Sequence, residues 1–165
     1  MKIKSFRLIV VLTVLALLLV LPTLAFAAEK ESAIQPLSSS DTCNNIPPAD
    51  EISSDTDYSE GFVMTRSTVG GYCSIAKRSS SSVEISGTTT CSPSAPGVKI
   101  SLKLQAYYAG AWHTLATKIK VESGTSVSLS QTYNVTTGYY YRVYATHSIS
   151  DGSTTYSNSN GILVN

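Results

Sequence analysis

Between Val98 and Tyr108 the chain alternates strictly: Val98, Ile100, Leu102, Leu104 and Ala106 take every second position, with Lys99, Ser101, Lys103, Gln105 and Tyr107 between them. A period of two is what a strand with one buried and one wet face requires, so this run predicts a strand and names its inward side. Tyr108 to Trp112 reads as a hairpin turn. Beyond it Leu115, Thr117, Ile119 and Val121 fall in one phase, and Lys118 and Lys120 in the other. Val127, Leu129, Gln131, Tyr133 and Val135 form a further alternating run, in which the polar Gln131 must be paired or lie at an edge. After Gly138, Tyr139, Tyr141, Val143 and Ala145 alternate with Tyr140, Arg142, Tyr144 and Thr146, and Asp151-Gly152 turns the chain into a last strand near Val164.

Upstream, Cys73 and Ile75 pair with the region of Val83 and Ile85 across the serine run Ser79 to Ser82, and a first run lies near Phe62 to Thr65. No segment carries an apolar stripe at helical spacing over three turns. Seven or eight short antiparallel strands in about 100 residues, with turn signals every 8 to 12 or so, predict an all-β domain built as a two-sheet β-sandwich.

The ends of the chain change the picture. Lys2, Lys4 and Arg7 precede an apolar run from Leu8 through Ala25, the order that the export machinery reads, and Ala25-Phe26-Ala27 after Pro22 suits a signal peptidase. Residues 1–27 are therefore read as a signal peptide cleaved after Ala27, and the protein as secreted and extracellular. The competing reading is an uncleaved anchor, the one route by which a membrane would be involved. Residues 28–60 show no period, contain Ser38-Ser39-Ser40 and Pro47-Pro48, and read as a disordered acidic tail ahead of a β-sandwich domain at 61–165.

Charge is unevenly divided. The tail holds Glu29, Glu31, Asp41, Asp50, Glu51, Asp55, Asp57 and Glu60 against Lys30 alone. The domain holds Arg66, Lys77, Arg78, Lys99, Lys103, Lys118, Lys120 and Arg142 against Glu84, Glu122 and Asp151. An acidic segment thus precedes a basic domain, and the tail is a candidate to fold back and compete with a ligand.

Cys43, Cys73 and Cys91 survive export, into a compartment that permits a bridge. Cys73 with Cys91 is the favoured disulfide, since each is in phase with a core isoleucine while Cys43 lies in the tail. A simple hairpin opposing Ile75 to Ile85 would instead set Cys73 opposite Gly87, so two unpaired buried thiols are the alternative.

Tyr141-Arg142-Val143-Tyr144-Ala145, followed by Ser148-Ile149-Ser150-Asp151-Gly152, resembles strand F and the F to G turn of a fibronectin type III or immunoglobulin-like domain. That resemblance implies an immunoglobulin-like sandwich with Tyr139 or Tyr141 as the tyrosine whose hydroxyl bonds to nearby backbone. Ile85 to Cys91, Leu102-Lys103-Leu104-Gln105 before Gly110-Ala111-Trp112, Gly138 to Val143, and Thr155 to Ile162 resemble in their order a family of small secreted Gram-positive proteins, domain of unknown function 6147. The resemblance spans roughly residues 70 to 164 and implies export and a β-sandwich, with no assigned activity.

Candidate chemistry is sparse. Glu84, Glu122 and Asp151 sit on separate elements, which disfavours the paired carboxylates of a glycosidase. His113 and His147 are the only histidines and stand in no metal-ligand spacing, so they read as surface or strand-end residues, with no metal or cofactor expected. A nucleophilic Cys73 or Cys91 with His147 is disfavoured by the buried phase of both cysteines. The expectation is a non-enzyme without a nucleic-acid partner.

One constellation carries a binding chemistry. If Val98 to Tyr108 and Tyr139 to His147 share a sheet, their outward phases gather Lys99, Lys103 and Tyr107 beside Tyr140, Arg142 and Tyr144, with Lys118 and Lys120 added by the neighbouring strand. Cations attract charge while tyrosine rings stack and bond through their hydroxyls, so the face suits a cell-wall polymer, a polysaccharide or a surface protein. Trp112 is a second candidate contact, or a cap on the core. The leading expectation is a binding or adhesion module for an anionic or carbohydrate cell-surface polymer. The alternative is an antimicrobial or toxin-like effector acting on other cells.

Overall fold

The computed structural model describes residues 46–55, 57–63 and 69–165. Residues 1–27, where a signal peptide is expected, most of the acidic segment 28–60 and Cys43 lie outside the described residues.

Period-two alternation carries the described residues into seven strands: β1 (Tyr58–Val63), β2 (Val69–Ser79), β3 (Ser82–Tyr108), β4 (Ala111–Asn134), β5 (Tyr139–Ile149), β6 (Thr154–Asn158) and β7 (Ile162–Val164). All ladders are antiparallel, in the order β1-β2-β3-β5-β6, with β4 also on β3 and β7 also on β5. The all-β class expected from the pattern is what the chain adopts.

The expected two sheets are one hydrogen-bonded sheet, because β3 and β4 do not stop where the sequence suggests four strands. The first half of β3 pairs with β2 and with the second half of β4. Its second half pairs with the first half of β4 and with β5. Register shifts between Thr90 and Val98 bend the ribbon, opposite Gly124 at φ 136°, and this long hairpin runs through both halves. The sheet curls until β1 reaches the stretch after β6, giving a nearly barrel-shaped body. There the Asn160 amide donates to Ser59 Oγ at 2.9 Å, and a Cβ on Gly61 would overlap the Asn158 carbonyl.

The inward phases fill this body. Val69, Cys73, Ile75, Val83 and Ile85 from one half meet Ile100, Leu102, Leu104, Tyr141, Val143 and Ala145 from the other, all buried. Each fully buried Leu, Ile or Val contributes roughly 1.5–3 kcal/mol. The hydroxyl-to-backbone bond expected of Tyr139 or Tyr141 is made by Tyr141, to the Thr136 carbonyl at 2.7 Å. The β3–β4 turn is Ala109-Gly110, both at positive φ (51° and 80°), the backbone that matches the right-handed twist of a two-residue hairpin.

Several expectations are corrected. Ile75 does oppose Ile85, and Cys73 opposes Gly87. Cys91 opposes Val69, four residues along β2 from Cys73, a separation of about 13 Å that no disulfide spans. Both thiols are free and buried; Cys73 Sγ approaches the Val143 carbonyl and Cys91 Sγ that of Gly124. The anticipated start of the domain at residue 61 falls inside β1. The acidic segment before it holds a turn of 3-10 helix at Ala49–Glu51, and Ile52 forms a parallel bridge to Gly161. Ser53 donates its amide to the Gly161 carbonyl, and Gly161 donates its own to the Glu51 carbonyl, at 2.9 and 2.6 Å.

Candidate ligand-binding face

Ladder register decides which side chains share a surface, since paired residues project to the same side. On the outer side of β4, β3, β5 and β6, Lys103 stands opposite Tyr144, Gln105 opposite Arg142 and Tyr107 opposite Tyr140, with Lys99 opposite Ser148. The sheet thus brings together all six residues named from alternation. Lys99 is exposed; Lys103, Tyr140, Arg142 and Tyr144 are half-buried; Tyr107 is buried, its ring meeting Trp112 edge-on at 5.2 Å.

The Lys103 ammonium lies 5.8 Å from the centre of the Tyr144 ring, which leans on Tyr156 of β6 at 5.9 Å. Tyr156 is 55% exposed, so the platform is open to solvent. Burial, then the neighbouring Tyr156, pushes the Tyr144 hydroxyl above its ordinary pKa, and the phenol stays neutral over the ordinary range of pH.

Arg142 is fixed from three sides. Its Nε donates to Gln105 Oε1 at 2.9 Å, and Gln105 in turn donates to Thr114 Oγ1 at 3.3 Å. The guanidinium lies over the Trp112 ring at 4.3 Å. The third contact comes from the acidic segment: Nη1 is 3.8 Å from Glu51 Oε2, which also accepts the Trp112 indole N–H at 2.6 Å. Burial pulls the Arg142 pKa below its usual value and the Glu51 charge opposes that pull, so the two groups are electrically matched.

Lys118 and Lys120 do not join this face. Leu104 opposes Ala116 while Gln105 opposes Thr114, so Leu115 is an extra residue, a bulge that inverts the phase of the rest of the strand. Lys118 and Lys120 thereby oppose Leu102 and Ile100, on the inward phase of a strand bonded on one side, and Lys120 Nζ reaches the Ser128 carbonyl and Glu122. Ile119 and Val121 take the outer positions beside Ser101 and Lys99, and Val121 is 56% exposed.

His147 is likewise no surface residue; it is fully buried in the inward phase of β5. Thr89 Oγ1 donates to the Lys99 carbonyl and so accepts from His147 Nδ1, leaving Nε2 to accept the Ser157 hydroxyl, both ring bonds being 2.8 Å. Burial lowers its pKa to about 4, and burial raises that of the Cys73 thiol, so neither presents a nucleophile or a base to solvent. His113 stacks on Tyr108 at 4.0 Å. Among the described residues no group of three or more His, Cys, Asp and Glu side chains could hold a metal.

Sequence reasoning missed Gln105, Tyr156 and Glu51 as members of the face. The first two are visible in retrospect as outward positions of alternating strands. Nothing local marks Glu51, because its segment has no period and its partners are separated from it by at least 61 residues. No model of a known protein family matches the chain, and no curated protein is similar to it.

Proposed function

We propose that the protein is an exported, non-enzymatic binding module whose outer β4–β3–β5–β6 face holds an anionic or carbohydrate polymer of a bacterial cell surface. The observation that carries this reading is the Arg142–Trp112 corner, which already holds a carboxylate from the protein's own chain. Beside it the Lys103–Tyr144–Tyr156 row offers a cation and two rings, the pairing suited to charged sugars. Export rests on the cationic, then apolar N-terminus, and kinship with the secreted family of unknown function 6147 and with immunoglobulin-like domains rests on the order of motifs from Ile85 to Ile162.

The test is sedimentation of the purified protein with Gram-positive envelopes across a salt series, beside a Lys103→Ala/Tyr144→Ala variant with an unchanged thermal transition. Binding that weakens with salt and is reduced at least about tenfold in the variant supports the reading. Equal binding by both proteins, or none by either, overturns it.

A further inference from the structure

The segment at 49–53 is attached by the Ile52–Gly161 bridge, made of two backbone hydrogen bonds that join Gly161 to Glu51 and Ser53, and by the Glu51 side chain. Of these, only the Glu51 carboxylate engages groups of the face. It is received by two donors of different kinds, an indole N–H and a guanidinium, converging on the single oxygen Oε2. A neutral indole donor together with an oriented cation forms a receptor with direction as well as charge. Gln105 fixes the Arg142 plane independently of Glu51, so the receptor persists when the carboxylate leaves.

Burial of Arg142 makes an unoccupied corner costly, which favours exchange of one carboxylate for another over simple departure. Arg142 and Tyr144 are two residues apart on one side of β5, about 7 Å. A ligand with its carboxylate on Arg142 therefore meets the rings of Tyr144 and Tyr156 next. Ring faces suit a sugar more than an extended acidic peptide, and a polysaccharide bearing uronic acids supplies carboxylate and sugar at that short interval.

We infer that the Arg142–Trp112 corner is a receptor for the carboxylate of an acidic polysaccharide, that Glu51 occupies it in the free protein, and that ligand binds by displacing Glu51. This rests on the proposed binding face and names both its ligand class and its built-in competitor. A bound carboxylate on the same chain acts at high effective concentration, so free affinity is reduced by the fraction of molecules in which Glu51 is seated.

Trp112 is the protein's single tryptophan, so its emission reports on the corner directly. Polygalacturonate is titrated at low ionic strength into the purified wild-type protein, Glu51→Gln, Arg142→Ala and Arg142→Lys, with poly-glutamate as the peptide comparator. Glu51→Gln is expected to bind at least about fivefold more tightly than wild type, with Trp112 emission already altered before ligand is added. Arg142→Ala is expected to lose saturable binding, and Arg142→Lys, which keeps the charge and guards against a folding defect, to bind at least about fivefold more weakly than wild type. Equal affinity of wild type and Glu51→Gln, with binding still lost in Lys103→Ala/Tyr144→Ala, overturns displacement and leaves the binding face standing. Saturation by poly-glutamate but not by polygalacturonate overturns the polysaccharide. No binding of either polymer, with no sedimentation on envelopes, overturns the inference together with the proposed function.

Discussion

Gln105 on β3 stands opposite Arg142 on β5 and accepts its Nε–H at 2.9 Å, so the cation at the centre of the face is aimed by a neutral neighbour. The pair couples the register of two strands to the orientation of one guanidinium. Replacing Gln105 by Leu removes the acceptor and leaves the ladder intact. Envelope or polygalacturonate affinity is expected to fall about threefold to tenfold, the net scale of one ordinary hydrogen bond, while thermal stability changes by less than about 1 kcal/mol. Unchanged affinity in the variant would mean that Trp112 and Glu51 suffice to orient Arg142.

The buried His147 makes stability depend on pH in a definite direction. Its pKa is lowered from 6.5 to about 4 by burial, so between those values the unfolded chain takes up a proton that the folded protein refuses. The stabilisation is whole above about pH 6.5 and is lost as pH falls toward 4, by about 3 kcal/mol in all. Urea unfolding at pH 7 and at pH 4.5 should show this loss, and His147→Gln, whatever its own stability, should show a smaller difference between the two pH values. An equal difference in both proteins would assign the pH dependence to carboxylates instead.

The bulge at Leu115 gives a sharp test of phase. With Val121 on the outer side, Val121→Lys is expected to shift the unfolding free energy by no more than about 0.5 kcal/mol. Uninterrupted alternation from Leu115 with the apolar residues inward would bury that lysine, at a cost of several kcal/mol. Chemical denaturation of the single variant separates the two arrangements.

The alternation of Val98 to Ala106 and of Tyr139 to Ala145 was sufficient to name the inward sides of β3 and β5. With them came the outer set Lys99, Lys103, Tyr107, Tyr140, Arg142 and Tyr144, because a strand's pleat sends neighbouring side chains to opposite faces whatever the fold around it. The same rule failed across Leu115, where one extra residue in the ladder inverts every later position and carries Lys118 and Lys120 off the face. A bulge is fixed by pairing to another strand, and the residues of β4 alone do not announce it.

Pairing across long separations decided the remainder. Whether Cys73 could meet Cys91 depended on the β2–β3 register, which sets Cys91 against Val69. Whether there were two sheets or one depended on β3 and β4 bending together, their pairing shifted in register between Thr90 and Val98 and resumed beyond it. His147 looked like a strand-end residue because its partners, Thr89 and Ser157, come from other strands. Local sequence determined that this chain would form strands and which side of most would be wet, since that follows from side-chain period and the need to hide apolar surface from water. Only the tertiary structure decided that Glu51, from a segment without any period, would lie on Arg142 and Trp112, because that contact comes from closing the sheet around residues far apart in the chain.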